Sequence, residues 1–257
     1  MKPLATQATH RGDGPPGGPM TPPRGRRRAG LRRVGWAVTT VLAAATALLG
    51  ARYFSLDPNT FLPEQRAVYL AHLAPLLLHI GGGVLALLLG PWQFLPRLRT
   101  RRPAVHRFVG RAYLVSAVVA GIGGLSLAPR ALVAPIAPIG FALLAALLLG
   151  ASAAAYATAR RREFARHRIW ATRSYALILA AVTLRLWLLG FEALGLSFDL
   201  AYGSAAWASW LINLLVAEFV IARPGAADGR VEVRRGSATG RDGPDVSAPA
   251  EATRRRG

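Results

Sequence analysis

The sequence contains no cysteine, which excludes disulfide bonds, cysteine-held metal and thiol chemistry. Carboxylates are scarce: 12 Asp and Glu stand against 32 Lys and Arg, a formal net charge of +20. No HExxH, GxSxG or Walker sequence occurs, and no apolar run carries a pair of carboxylates. The usual hydrolase, metalloprotease and nucleotide-binding constellations are therefore missing. A charge this positive suits nucleic acid, but the arginines are parcelled between apolar runs rather than gathered on one polar module, so nucleic acid is not expected as a partner. The runs also lack the alternation of barrel strands.

What is present is hydrophobicity, at 53% of residues. A soluble domain would struggle to bury that much and solvate +20 at once. A polytopic membrane protein places the apolar residues in spans and the charges between them. Of the 32 basic residues, only Arg185 falls deep inside an apolar run.

Six runs follow one another, over residues 34–51, 68–95, 111–128, 135–158, 174–194 and 203–221. At about 1.5 Å per residue each can cross a hydrocarbon core of about 30 Å, the shorter two with help from flanking residues. Helices are expected, because backbone groups in lipid must find partners within their own segment. The reading is an all-α, polytopic bundle of six transmembrane helices. Residues 1–33 and 223–257 are rich in Gly, Pro and Arg with few large apolar side chains, and are expected to be disordered tails. The first run follows a basic stretch, as a signal peptide would, but Ala-Arg-Tyr-Phe succeeds it and offers no small-residue cleavage site. It is read as an uncleaved anchor.

Charge distribution sets the orientation. The N-terminal tail holds eight Lys or Arg, the C-terminal tail eight, and the connections at 96–110 and 159–173, with their edges, six each. The other three connections hold only Arg52, Arg66 and Arg130. The positive-inside rule then puts both termini and both basic connections in the cytoplasm of a cell-membrane protein. Asp57, Glu64, Glu192 and Asp199 make the other face slightly acidic.

Polar residues inside the runs are candidates for function. His72 and His79, seven apart, would share one helix face, with His79 about 16 Å below the start of its run and near the midplane. Arg185 lies about 16 Å from the inner end of its run. Glu192, seven residues on, or Glu218 in the last run could pair with it, and Glu218 could equally reach the basic connections. Gly81, Gly82 and Gly83, followed by Gly121, Gly123 and Gly124, suit close helix packing.

Each basic connection repeats an order: an arginine-rich start, a His-Arg pair (His106 and Arg107; His167 and Arg168), a second arginine (Arg111; Arg173) and a tyrosine two positions on (Tyr113; Tyr175). Three roles fit these residues. They could anchor the span ends in the bilayer and bind anionic lipid headgroups. They could hold an anionic ligand through forked arginine donors. Or His106 and His167 could ligate a b-type haem, one imidazole from each connection, with arginines on the propionates.

Taken together, His79-Ile-Gly-Gly-Gly with Gly90-Pro-Trp-Gln-Phe, His106-Arg-Phe-Val-Gly-Arg-Ala-Tyr, His167-Arg-Ile-Trp-Ala-Thr-Arg-Ser-Tyr-Ala-Leu with Val182-Thr-Leu-Arg185, and Asn213-Leu-Leu-Val-Ala-Glu218 resemble the bacterial predicted-membrane-protein family of domain of unknown function 2306. The resemblance covers about residues 68–220. His79, Gln93, His106, Arg107, Gly110, Arg111, His167, Arg168, Arg173, Ser174, Tyr175, Arg185, Asn213 and Glu218 match the family pattern, whereas His72 stands outside it. The resemblance implies the membrane architecture and brings no activity with it.

Three functional readings result. In the first, His79, Arg185, Glu218 and Asn213 build a polar site inside the bundle that binds or moves a proton or a small anion. In the second, haem b on His106 and His167 makes a redox protein. The third is a structural, lipid-interacting protein without turnover.

Overall fold

The computed structural model describes residues 24–61 and 63–222. Residues 1–23 and 223–257, most of the two expected tails, lie outside the described residues. The described chain is helical: α1 (Arg24–Ala51), α2 (Arg66–Ala71), α3 (Leu73–Gln93), α4 (Pro96–Arg101), α5 (Pro103–Leu127), α6 (Ile136–Arg160), α7 (Phe164–Ile178), α8 (Ala180–Ala193) and α9 (Phe198–Ala222). No strand occurs among the described residues. Six helices are long and apolar enough to cross a membrane, with α7 and α8 forming one of them in tandem.

Side chains are distributed for lipid rather than water. Leu85, Val115, Ile122, Leu147, Leu215 and Phe219 are exposed, while Ser152, Ser174 and Ser209 are buried to 1% or less. Helix contacts are made by Ala86, Ala117, Ala151, Ala155, Ala205 and Ala206, because small residues let backbones approach in the absence of a hydrophobic drive between helices. The closest approach joins α3 and α5. A Cβ at Gly82 would lie 2.5 Å from both the Ala120 nitrogen and the Ser116 oxygen, and one at Gly123 would lie 2.6 Å from the His79 nitrogen.

Three features differ from the sequence reading. First, the two basic connections are largely helical. Leu95 is extended (ψ 115°) ahead of Pro96 and Arg102 leaves the helical region (φ −133°, ψ 64°) ahead of Pro103, since a proline disfavours the α region in the residue before it and suits the first helical position. Helix α5 thus begins eight residues before the apolar run at 111, and α6 turns into α7 through Arg161–Glu163 alone. In that turn Arg162 has φ 60°, and Glu163 N donates to Thr158 O at 2.9 Å and Arg162 N to Ala159 O at 3.1 Å, the Schellman arrangement. Arginine is a good helix former, and at headgroup depth its charge stays solvated, so helix continues where hydropathy stops. Helix α1 likewise starts at Arg24, so residues 24–33 of the expected N-terminal tail are helical.

Second, the helix breaks at His72 (φ −133°, ψ 47°), so His72 and His79 do not share a continuous helix face. His72 Nδ1 instead sits 3.0 Å from Val68 O within its own turn. Third, α7 and α8 meet at Leu179 without a proline or glycine. Asn213 of α9 clasps this joint: its Nδ2 donates to Ala176 O at 3.2 Å on one side, and its Oδ1 accepts from Thr183 Oγ1 at 2.9 Å on the other.

The α3–α5 contact is open to test. Gly82→Ala should force the two backbones apart and lower stability by about 1–3 kcal/mol. Gly83→Ala, where an added Cβ meets nothing within 4 Å, should be neutral. Thermal unfolding of the two variants in detergent compares them directly.

Candidate functional site

The polar residues gather at two levels. One lies toward the end opposite the arginines, the other at the arginine-rich end itself.

At the first level, His79 lies six residues into α3, about 9 Å below its start, and Arg185 lies eight residues from the end of α8, about 12 Å. Both therefore occupy the half of their helices away from the arginine-rich end. The His79 imidazole is held by its neighbour across the glycine contact, its Nδ1 lying 2.9 Å from Ala120 O. With Nδ1–H donated to that carbonyl, Nε2 is left with its lone pair. The His79 side chain keeps accessible surface.

Arg185 acts electrostatically on His79 and on the phenols of Tyr53 and Tyr69. Its one hydrogen bond runs from Nη1 to Ala181 O, 2.8 Å away on its own helix. Among the described residues no carboxylate lies within ion-pair distance of it; the two salt bridges are Arg166–Glu163 and Arg173–Glu218. Tyr53 stacks on Phe61 at 5.3 Å, Tyr69 packs edge-on against both, and buried Gln65 donates from Nε2 to Tyr202 Oη at 3.0 Å. Burial pushes the Tyr69 phenol up, so it stays a neutral donor.

Between the levels, Ser174 is a fully buried hub. Its Oγ lies 2.9 Å from Tyr113 Oη and 3.0 Å from Ser152 Oγ, tying α7 to α5 and α6. Asn213 is occupied by the α7–α8 joint. Neither reaches Arg185 through a hydrogen bond.

At the arginine-rich end, Glu218 pairs with Arg173 in a forked contact, Nε to Oε1 at 2.6 Å and Nη2 to Oε2 at 3.0 Å. The same guanidinium covers the Trp170 ring at 4.7 Å. Glu218 thus belongs with the basic segments, and the structure does not bring it to Arg185 and His79. Arg107, Arg111 and Arg168 are exposed. His167 Nδ1 lies 2.8 Å from Ala155 O of α6, and His106 lies near enough for the two imidazoles to act on each other. The Tyr175 ring occupies the space over Gly90, and Gln93 Oε1 lies 3.1 Å from where a Gly110 Cβ would stand. Among the described residues no cluster of three or more His, Asp or Glu is placed to hold a metal ion.

A family model described as predicted membrane protein (DUF2306) matches residues 76–221. No curated protein and no solved structure matches the chain. The matched range holds His79, Gln93, His106, Tyr175, Arg185, Asn213 and Glu218, and leaves α1 and the aromatic cover of Tyr53, Phe61 and Tyr69 outside. That cover, Gln65 and Tyr202 went unread in the sequence, because a tyrosine near a span end is expected as an interfacial anchor. Only the fold brings Tyr53 and Tyr69 within electrostatic range of Arg185.

Ser174→Ala should destabilise the protein by about 1–3 kcal/mol, since it strands two buried hydroxyls at once. Adding Tyr113→Phe should recover part of the loss by removing one stranded group. Melting curves of the single and double variants decide the point.

Proposed function

The chain belongs to the DUF2306 family of predicted membrane proteins, and from its unpaired arginine we propose that it binds a small organic anion within the bundle and moves it across or along the membrane. The observation that carries this reading is Arg185, a guanidinium inside a span with no carboxylate to neutralise it. An isolated charge there is costly, and a partner, water or ligand must offset it. The neighbours suit a carboxylate. Tyr53 and Tyr69 bring phenolic O–H groups, and His79, anchored through Nδ1, can take up or release a proton at Nε2 as the anion arrives. Arg185 would fork the carboxylate oxygens. Glu218, bound to Arg173, plays no part in this site.

Acetate, benzoate and citrate serve as probes of increasing size and charge. At least one should raise the melting temperature of the purified protein, and the same one should cross proteoliposome membranes faster than in protein-free vesicles. Arg185→Leu should abolish both effects and His79→Leu should weaken binding roughly tenfold, the equivalent of one charge-assisted hydrogen bond. Uptake and melting shifts that survive Arg185→Leu would sink the proposal.

The same reading places the arginine-rich end in the cytoplasm. The absence of native cysteine makes the test direct. Arg161→Cys should react with an impermeant maleimide only after cells are opened, whereas Asn59→Cys should react on intact cells. The reverse pattern would invert the topology.

A further inference from the structure

We propose that Gln93, His106 and Tyr175 form a second binding site, for a phosphate group, at the arginine-rich end of the bundle. Three buried polar atoms there have no hydrogen-bond partner: Gln93 Nε2, His106 Nδ1 and Tyr175 Oη. They come from three helices, α3, α5 and α7, and two glycine contacts bring their turns together. Gln93 lies against Gly110, one turn along α5 from His106. Tyr175 fills the space at Gly90, one turn along α3 from Gln93, and its ring lies 5.5 Å from Phe94 and 6.2 Å from Tyr113. Tyr175 is only 5% exposed, so bulk solvent does not satisfy its hydroxyl.

Leaving such a group unpaired costs on the order of 1–3 kcal/mol. Three together point to an occupant. All three atoms can donate: an amide N–H, an imidazole N–H and a phenol O–H. The complementary group is an acceptor with several oxygens. Its charge follows from the surroundings, since the charged groups acting on His106 are His167, Arg99 and Arg107, all basic. The two ion-paired carboxylates at this end, Glu163 and Glu218, are engaged by Arg166 and Arg173.

Depth narrows the choice further. Gln93 is the last residue of α3 and His106 the fourth of α5, so the cluster sits where apolar helix gives way to basic segments, the level at which a spanning bundle meets lipid phosphates. The two sources of a phosphate are therefore an anionic lipid headgroup and a soluble phosphate. Haem fits the cluster poorly. The glycine surfaces that could admit a flat macrocycle are already covered by the Tyr175 ring and Gln93.

The test uses the full chain purified in dodecyl maltoside and stripped of lipid. Melting temperature and native mass spectra are followed against dioleoylphosphatidylglycerol, dioleoylphosphatidylcholine and inorganic phosphate. Saturable stabilisation by phosphatidylglycerol supports a lipid headgroup, and the same effect from inorganic phosphate alone supports a soluble source. In either case Gln93→Leu, His106→Ala and Tyr175→Phe should each weaken the apparent affinity roughly tenfold. Tyr175→Phe should fold at least as well as the parent without ligand, because it removes a stranded hydroxyl, so its loss of response cannot be laid to misfolding. Three results would overturn the proposal: no response to any probe, which leaves water at the cluster; an equal response in all three variants, which reduces it to arginine attraction; or a Soret band lost in His106→Ala, which makes the site a haem site. The response does not depend on Arg185, so either site can fail without the other.

Discussion

The polar residues of the first hairpin, His79, Gln93 and His106, take their positions from the contact between α3 and α5. At Gly82 and Gly123 the two backbones meet with no side chain between them, and that closeness lets the His79 imidazole reach Ala120 O. Toward the arginine-rich end two further glycines, Gly90 and Gly110, open the same surfaces. There the space goes to Tyr175 and Gln93. Bare backbone contact near one end and side chains over glycine at the other give the two levels their different characters. Replacing the glycines would therefore act on both, through the spacing of one helix pair.

Lipid offers polar groups no solvent, so each must find a partner inside the protein or in a ligand. Most do. Ser174 serves Tyr113 and Ser152, Asn213 clasps the α7–α8 joint, and Trp36 Nε1 donates to Pro91 O at 2.9 Å, fastening α1 to α3. Against that background the exceptions stand out as a group. Arg185 has only a carbonyl of its own helix, and Gln93, His106 and Tyr175, like Arg66 and Ser209, each keep an unengaged buried atom. The pattern separates residues that hold helices together from residues that keep a polar atom without a protein partner. Asn213, which sequence position alone grouped with the candidate site, falls on the structural side.

Six spans were legible in the sequence because hydropathy and length are strong signals in lipid. Their ends were not. Hydropathy marks where the chain leaves hydrocarbon, whereas the helix goes on into the headgroups, so 96–110 and 159–173 read as connections and fold mainly as helix. The break at His72 precedes Pro75, which cannot bond the Ala71 carbonyl and clashes with it, whereas the joint at Leu179 carries no proline or glycine and is clasped by Asn213. Candidate residues were legible by type: an arginine or histidine in a span is conspicuous wherever it points. Partnership was not, since whether Glu218 meets Arg185 or Arg173 depends on which turn of α9 faces which helix. Four residues along a span shift a side chain by about 6 Å, enough to change its partner.

The two hairpins, α3 with α5 and α6 with α7, show how a repeated motif can diverge in use. Each second helix carries a His-Arg pair followed by an arginine and a tyrosine. In the second hairpin His167 is tied to Ala155 O of the preceding helix, which fixes its tautomer and removes Nδ1 from competition. In the first, Gln93 stands against the Gly110 surface and His106 Nδ1 finds no partner. The difference arises in the preceding helix. Helix α6 brings a carbonyl within 2.8 Å of its histidine, while α3 ends at Gln93 and turns away through Pro96 before it can offer one to His106. Where the copies are alike the motif builds the bundle, and where α3 stops short the same motif leaves the His106 Nδ1 without a protein partner.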